Sequence, residues 1–173
     1  MEINSQLNRL KKFLEDKVCS KIKLKAETKT KEYELVNPKC FVFAPRDMKL
    51  DNINYPFISI EFDEIIDNSQ EEIYSIQLYI FVFDNGVNIL NNNGMRSYYP
   101  NKGQGYVTLF NFLSKIRREL ILGRDIGKLI KSDITIKMID GVEPPYYGAV
   151  ILFKIGGLPY PQSDKEIQEF LNL

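Results

Sequence analysis

The apolar positions of residues 1–18 recur at helical spacing. Ile3, Leu7, Leu10 and Leu14 are separated by four, three and four residues, and Phe13 and Val18 widen the stripe. Arg9, Lys11, Lys12, Glu15 and Asp16 lie off that stripe, so the segment reads as an amphipathic helix laid on a core. The period then changes to two. Lys21, Lys23 and Lys25 alternate with Ile22, Leu24 and Ala26, the pattern of an exposed strand with one apolar face. Phe41-Val42-Phe43-Ala44 reads as a short buried strand stopped by Pro45, and Tyr55 to Phe62 as another. Ile73 to Phe83 is the strongest strand signal. Ile76, Leu78, Ile80 and Val82 share one face and Tyr79, Phe81 and Phe83 the other, which predicts a central strand covered on both sides.

Asp63, Glu64, Asp67, Glu71 and Glu72 fall between these two strands and read as an acidic hairpin turn. Asp84 to Gly105 reads as a long polar loop, with Asn91-Asn92-Asn93-Gly94 and Ser97-Tyr98-Tyr99-Pro100 inside it. Unstructured loops of this length are usually functional or disordered, and paired tyrosines suit a contact arm reaching a neighbouring subunit. A second helix is expected over 106–122. Leu109, Leu113, Ile116 and Leu120 form its stripe with Phe110 beside them, and Gly123 is its C-terminal stop. Lys115, Arg117 and Arg118 complement the helix dipole at that end. Two alternating strands follow, Ile134–Met138 and Tyr147–Ile155, separated by Pro144-Pro145. Ser163-Asp164-Lys165-Glu166 is a capping box that opens a short helix over 163–173 with Ile167, Phe170 and Leu171. So short a helix needs a docking surface. The order of elements predicts one α+β domain over 1–173, an antiparallel or mixed sheet of five to six strands with helices on one face.

Composition narrows the function classes. The chain has 173 residues, enough for a core, and no apolar run approaches the roughly 20 residues that span a bilayer. Met1 leads into a polar segment rather than a basic-then-apolar leader, so folding in a cytoplasm is expected. Formal net charge is zero, yet residues 1–50 hold 12 Lys/Arg against 7 Asp/Glu, residues 51–100 hold 1 against 8, and residues 101–173 hold 10 against 8. Regions of opposite sign suit head-to-tail self-association, and they equally suit solvated faces of a monomer.

There is no histidine, which excludes Ser-His and Cys-His nucleophile systems and the commonest metal ligand. Two cysteines, Cys19 and Cys40, form neither a zinc set nor a CxxC pair, and Cys40 beside Phe41 reads as a small buried hydrophobe. The acidic cluster lacks EF-hand spacing, so no metal site is assigned and a solvated turn is expected. Gly103 and Gly105 match no phosphate-binding fingerprint. Glu15-Asp16-Lys17 has the ExK spacing of a nuclease, but it lies on a helix with no acidic residue on a preceding strand. The lysines at 21, 23 and 25 suit either a basic stripe facing DNA or an acidic partner, or an edge strand guarded against aggregation. Missing aromatic interleaving favours the edge strand. No catalytic residue, cofactor or metal is expected.

Three segments carry a resemblance. The first is Tyr55-Pro56-Phe57-Ile58, then the acidic residues and a long strand ending in Asp84. The second is Gly103-Gln104-Gly105-Tyr106 leading to Ile116-Arg117-Arg118-Glu119-Leu120. The third is Ile134-Thr135-Ile136, then Pro144-Pro145-Tyr146-Tyr147-Gly148 and a strand ending at Gly157-Leu158-Pro159. In this order, over roughly residues 50–160, they resemble the tail terminator (tail completion) proteins of long-tailed bacteriophages and prophages.

The resemblance implies a sheet backed by helices and a non-enzymatic part of a virion tail or tail-like bacteriocin, assembled in the bacterial cytoplasm. It implies a homo-hexameric ring that caps the head-proximal end of the tail tube and offers a surface to the neck. Partners would be other copies, the tail tube protein, and sheath or neck proteins, with no membrane and only non-specific DNA contact in the lumen. A neck or head-tail connector, or a small binding module, is the alternative. The Lys21–Lys31 stretch and the Asp84–Gly103 loop depart from the usual pattern. Candidate interface residues are Lys21, Lys23 and Lys25 on the basic stretch, and Asp63, Glu64 and Asp67 on the acidic one. Tyr98 and Tyr99 join them on the loop, Arg117 and Arg118 on the second helix, and Phe170 on the last.

Overall fold

A computed structural model describes residues 3–28, 33–44, 56–67, 71–90, 96–99, 102–123, 130 and 133–159. Helix α1 spans Ile3–Lys17 and passes through a 3-10 turn at Cys19–Lys21 into β1, Leu24–Glu27. β1 pairs antiparallel with β2, Tyr33–Val36, as a separate two-stranded ribbon. The main sheet has five strands. β3 (Lys39–Val42) lies parallel to β4 (Phe57–Asp67), and β5 (Glu71–Phe83) runs antiparallel to β4. A second ribbon, β6 (Val87–Leu90) and β7 (Arg96–Tyr99), precedes helix α2, Lys102–Leu122. β8 (Thr135–Met138) and β9 (Tyr146–Pro159) complete the sheet in the order β3-β4-β5-β9-β8. The fold is α+β with a mixed sheet.

The core lies between the helices and one face of this sheet. α1 contributes Leu7, Leu10 and Leu14, with Val18 just after it, and α2 contributes Leu109, Phe112, Leu113, Ile116 and Leu120. Ile76, Leu78, Ile80 and Val82 of β5 meet them, flanked by Ile58 and Ile60 of β4 and by Ala149, Ile151 and Phe153 of β9. Each fully buried Leu or Ile side chain contributes about 1.5–3 kcal/mol. Cys19 and Cys40 are both free and buried in this layer. Burial pushes the Cys19 thiol up to about 12 and the Cys40 thiol upward as well, so neither is a nucleophile at neutral pH.

Several expectations from the pattern change. β5 is central and its even-numbered face is sealed, whereas on the other face only Phe83 among the odd-numbered residues 75–83 is buried and Ser75, Gln77, Tyr79 and Phe81 are half-buried. β3 stops at Val42, and Phe43 adopts φ 53° and is exposed rather than buried. Asp63, Glu64 and Asp67 belong to β4 and Glu71 and Glu72 to β5, so the acidic cluster is mostly strand and not a turn. A register shift between Phe62 and Ile65 is a β-bulge that carries Asp63 and Glu64. The segment read as a loop over 84–105 holds the β6–β7 ribbon and the first turn of α2. The helix expected over 163–173 lies outside the described residues.

Gly105 fixes how closely α2 approaches β9. A Cβ there would stand 2.0 Å from Cζ of the Tyr147 ring and 2.6 Å from its hydroxyl oxygen. Tyr147 is buried and packs edge-on against Tyr106, with centroids 5.1 Å apart, so the ring has no free path away. Alanine gains about 1 kcal/mol of helix propensity over glycine, whereas overpacking costs about 1–3 kcal/mol. Gly105→Ala is therefore expected to lower the thermal midpoint. In a Tyr147→Ala background the same methyl should cost nothing, and equal losses in both backgrounds would show that the ring is not what the methyl meets.

Candidate functional site

The end of β5 is tied to the first ribbon and to α2 through one carboxylate. Asp84 is 1% exposed. Its Oδ1 accepts from Lys25 Nζ at 2.7 Å and from the Gly86 backbone N–H at 2.9 Å. Its Oδ2 accepts from Thr108 Oγ1 at 2.9 Å, and its own backbone N–H donates to the Pro145 carbonyl at 2.9 Å. Lys25 sits in β1, Thr108 in the second turn of α2, and Pro145 just before β9, so four segments meet at this residue. Lys25 Nζ also lies 4.9 Å from the centroid of the Tyr33 ring on β2, and the Tyr146 hydroxyl donates to Glu27 Oε2 at 2.5 Å. Both carboxylate oxygens are already occupied by donors, which fits a clamp and leaves no free base. Burial pushes the Tyr147 phenol upward, with the charge of Asp84 adding to the effect. The Tyr147 hydroxyl and both polar atoms of the Asn85 amide are buried without a hydrogen-bond partner.

The clamp holds α2 in one orientation on the sheet, and that orientation leaves a second apolar stripe facing outward. Val107, Phe110, Ser114, Arg117 and Ile121 follow spacings of three, four, three and four, and all are exposed. Val107 is 57%, Phe110 51% and Ile121 52% exposed. Tyr106 stacks on Phe110 at 6.1 Å, and Leu122 extends the patch at the far end. Arg118 and Lys115 both reach Glu119, at 3.2 and 2.9 Å, and these hydrogen bonds, Lys115 first, hold its carboxyl below the usual range. Arg117 has no ion pair among the described residues.

The sheet face away from the helices is partly covered: Phe57, Ser59 and Phe83 on it are buried, and Ser75, Gln77, Tyr79 and Phe81 are half-buried. Phe57 and Phe81 stack at 5.0 Å on it, and Gly148 leaves room for the Phe81 ring. Val150 and Leu152 of β9 lie half-buried beside Tyr79 and Gln77. At one end of this face a shallow groove is lined by Asp63, Ser75, Gln77, Asp133, Leu152 and Lys154. Glu64 bonds Ser75 at 3.2 Å and lies 3.6 Å from Lys154, whereas Asp63 is exposed and has no ion pair among the described residues.

The residues singled out by sequence separate into groups. Asp63 and Glu64 stand together on the bulge, and Arg117 and Arg118 stand together on the outer side of α2. Lys21 and Lys23 are exposed, but Lys25 is withdrawn onto Asp84 and does not continue a basic stripe with them. Asp67 lies at the end of β4 and Tyr98 and Tyr99 in β7, with their side chains outside the described set. Phe170 lies outside the described residues altogether. The Asp84 clamp and the outer stripe of α2 were missed by sequence. The stripe had a readable signal in its spacing, whereas the clamp joins residues 59 and 24 positions apart and had none. Among the described residues no three His, Cys, Asp or Glu side chains gather as a metal site, and no helix is long and apolar enough to cross a membrane. Comparison of the chain with protein-family models and with curated proteins finds no match.

Proposed function

We propose that this chain is a structural cap of a phage tail or tail-like particle, a ring that ends growth of the tail tube and presents a surface to the neck. The observation that carries the reading is where the three resembling segments fall. They form β4–β5, α2 and β8–β9, which make one framework of central strands and the helix packed on them. That framework leaves the outer face of α2 exposed, as a protein that works by stacking on others requires.

The test is binding to polymerised tail tube protein from the same genome, viewed by negative-stain electron microscopy. Density at one tube end only, with elongation arrested there, is the expected result. Binding to the portal side and not to tube ends would replace this reading with a neck adaptor. Binding to neither would remove it.

A further inference from the structure

We infer that residues 163–173 of one copy form a helix that packs on the outer stripe of α2 in the next copy. The inference rests on the ring reading above and names a contact by which the subunits join. α2 is apolar on two sides. Its inner stripe is spent on the sheet of its own chain, while Val107, Phe110, Ile121 and Leu122 are each more than half exposed. An exposed apolar stripe of this length is a seat for another element. The segment after β9 has the converse shortage. Ser163-Asp164-Lys165-Glu166 caps a helix whose apolar residues, Ile167, Phe170 and Leu171, share one narrow face. So short a helix is marginal alone and gains its stability from packing that face. At 1.5 Å per residue it extends about 16 Å, the distance from Phe110 to Ile121 along α2.

Charge matches the two faces. At 100° per residue Arg117 and Arg118 flank the outer stripe of α2 on its two sides. Glu119, the one acidic residue of α2, falls on the opposite side of the helix and is held by Lys115 and Arg118. In the 163–173 helix Asp164 and Glu166 flank the apolar face in the same way, and Lys165 and Glu169 fall opposite to it. With the helices antiparallel, Asp164 and Glu166 meet Arg117 and Arg118, Ile167 faces the small Ser114, and Phe170 and Leu171 reach Phe110 and Val107. Two α2 stripes packed together would leave the arginines with no carboxylate on either stripe.

Reach assigns the occupant to a second copy. α2 enters beside Tyr147 at the start of β9, and Ile130 after it bridges to Ile155, so α2 runs along the sheet toward the end of β9. β9 continues to Pro159, opposite Glu71, about 13 Å beyond Ile155. A helix on the outer side of α2 has its axis about 8–10 Å beyond that of α2, which itself stands at least about 5 Å above the sheet. Residues 160–162 carry the chain at most about 14 Å from Pro159 to Ser163. That is too short to climb this height and also turn back along β9. Between copies the contact is heterologous and head-to-tail, the kind that closes a ring.

Disulfide trapping tests this directly. Ser114→Cys and Ile167→Cys are combined in one chain, and the parent, whose Cys19 and Cys40 are buried, is the control. After mild oxidation a ladder of linked chains is expected on a non-reducing gel. Ser114→Cys and Ile167→Cys on separate chains of different mass should give the mixed dimer in excess of either homodimer. A link closed within one chain would overturn the exchange between copies. No link, or homodimers of Ser114→Cys alone, would overturn the contact. Asp164→Lys with Glu166→Lys supplies a second reading without new thiols. Both changes lie beyond the sheet, so circular dichroism should show the fold kept, while self-association in sedimentation velocity weakens at least about tenfold. Association equal to the parent's would overturn the charge match. In each case tube-end binding decides the capping role separately, because a cap can close through other surfaces or on the tube as template.

Discussion

Asp84→Ala is expected to destabilise the chain by about 3–5 kcal/mol, the range for breaking a buried ion pair from one side. The substitution removes the acceptor for three donors at once: Lys25 Nζ, the Gly86 N–H and the Thr108 hydroxyl. Lys25 is the least penalised, because its side chain is 20% exposed and can swing partly into water. Lys25→Met acts from the other side. It leaves a carboxylate that is 1% exposed with only two neutral donors, and water cannot reach it. The lysine substitution is therefore expected to cost at least as much as the aspartate one, although lysine is the more exposed partner. The double variant Asp84→Asn, Lys25→Met removes both charges and keeps the shape. It should recover to within about 1–2 kcal/mol of the parent, since apolar replacements of buried pairs are often close to neutral. Urea denaturation of the parent, Asp84→Asn, Lys25→Met and the double variant measures the coupling. Additive losses would show that Asp84 and Lys25 act independently and that no clamp exists. For a chain of this size the single variants should lose roughly 10 °C in thermal midpoint.

The same clamp explains what was and was not legible in the sequence. Local periodicity places α1, α2, β5 and β9 well, because each has a long apolar stripe of fixed period. It places Asp84 only as the residue where β5 ends, since the partners on β1 and α2 are brought to it by tertiary structure alone. Lys25 shows the same limit. Its alternation with Leu24 and Ala26 correctly predicts a strand with those two buried. Alternation cannot say that the lysine side faces the end of β5 and not solvent. The β6–β7 ribbon reads as loop because its strands are four residues each, too short to establish a period, although Asn93-Gly94 between them is a hairpin signal. The bulge at Asp63 and Glu64 was equally hidden, for a register shift depends on the partner strand.

Phenylalanines 110 and 112 give the sharpest division between stability and assembly. Sequence spacing put Phe110 beside the buried stripe of α2, but the structure buries Phe112 completely and leaves Phe110 51% exposed. The reason is angular. At 100° per residue Phe112 lies about 40° from Ile116, at the edge of the sector of Leu109, Leu113, Ile116 and Leu120, whereas Phe110 falls with Val107 and Ile121 on the other side. Phe112→Ala opens a cavity between α2 and the sheet and should cost about 3–5 kcal/mol, measured by the urea midpoint at unchanged slope. Phe110→Ala removes a half-exposed ring stacked on Tyr106, so monomer stability should change by roughly 0.5 kcal/mol or less. If the outer stripe of α2 is the contact, Phe110→Ala weakens self-association measured by sedimentation while Phe112→Ala weakens it only as far as the fold is lost. Comparable stability losses for the two would mean that the orientation of α2 is wrong. A Phe110→Ala protein that associates like the parent would place the contact elsewhere on the molecule.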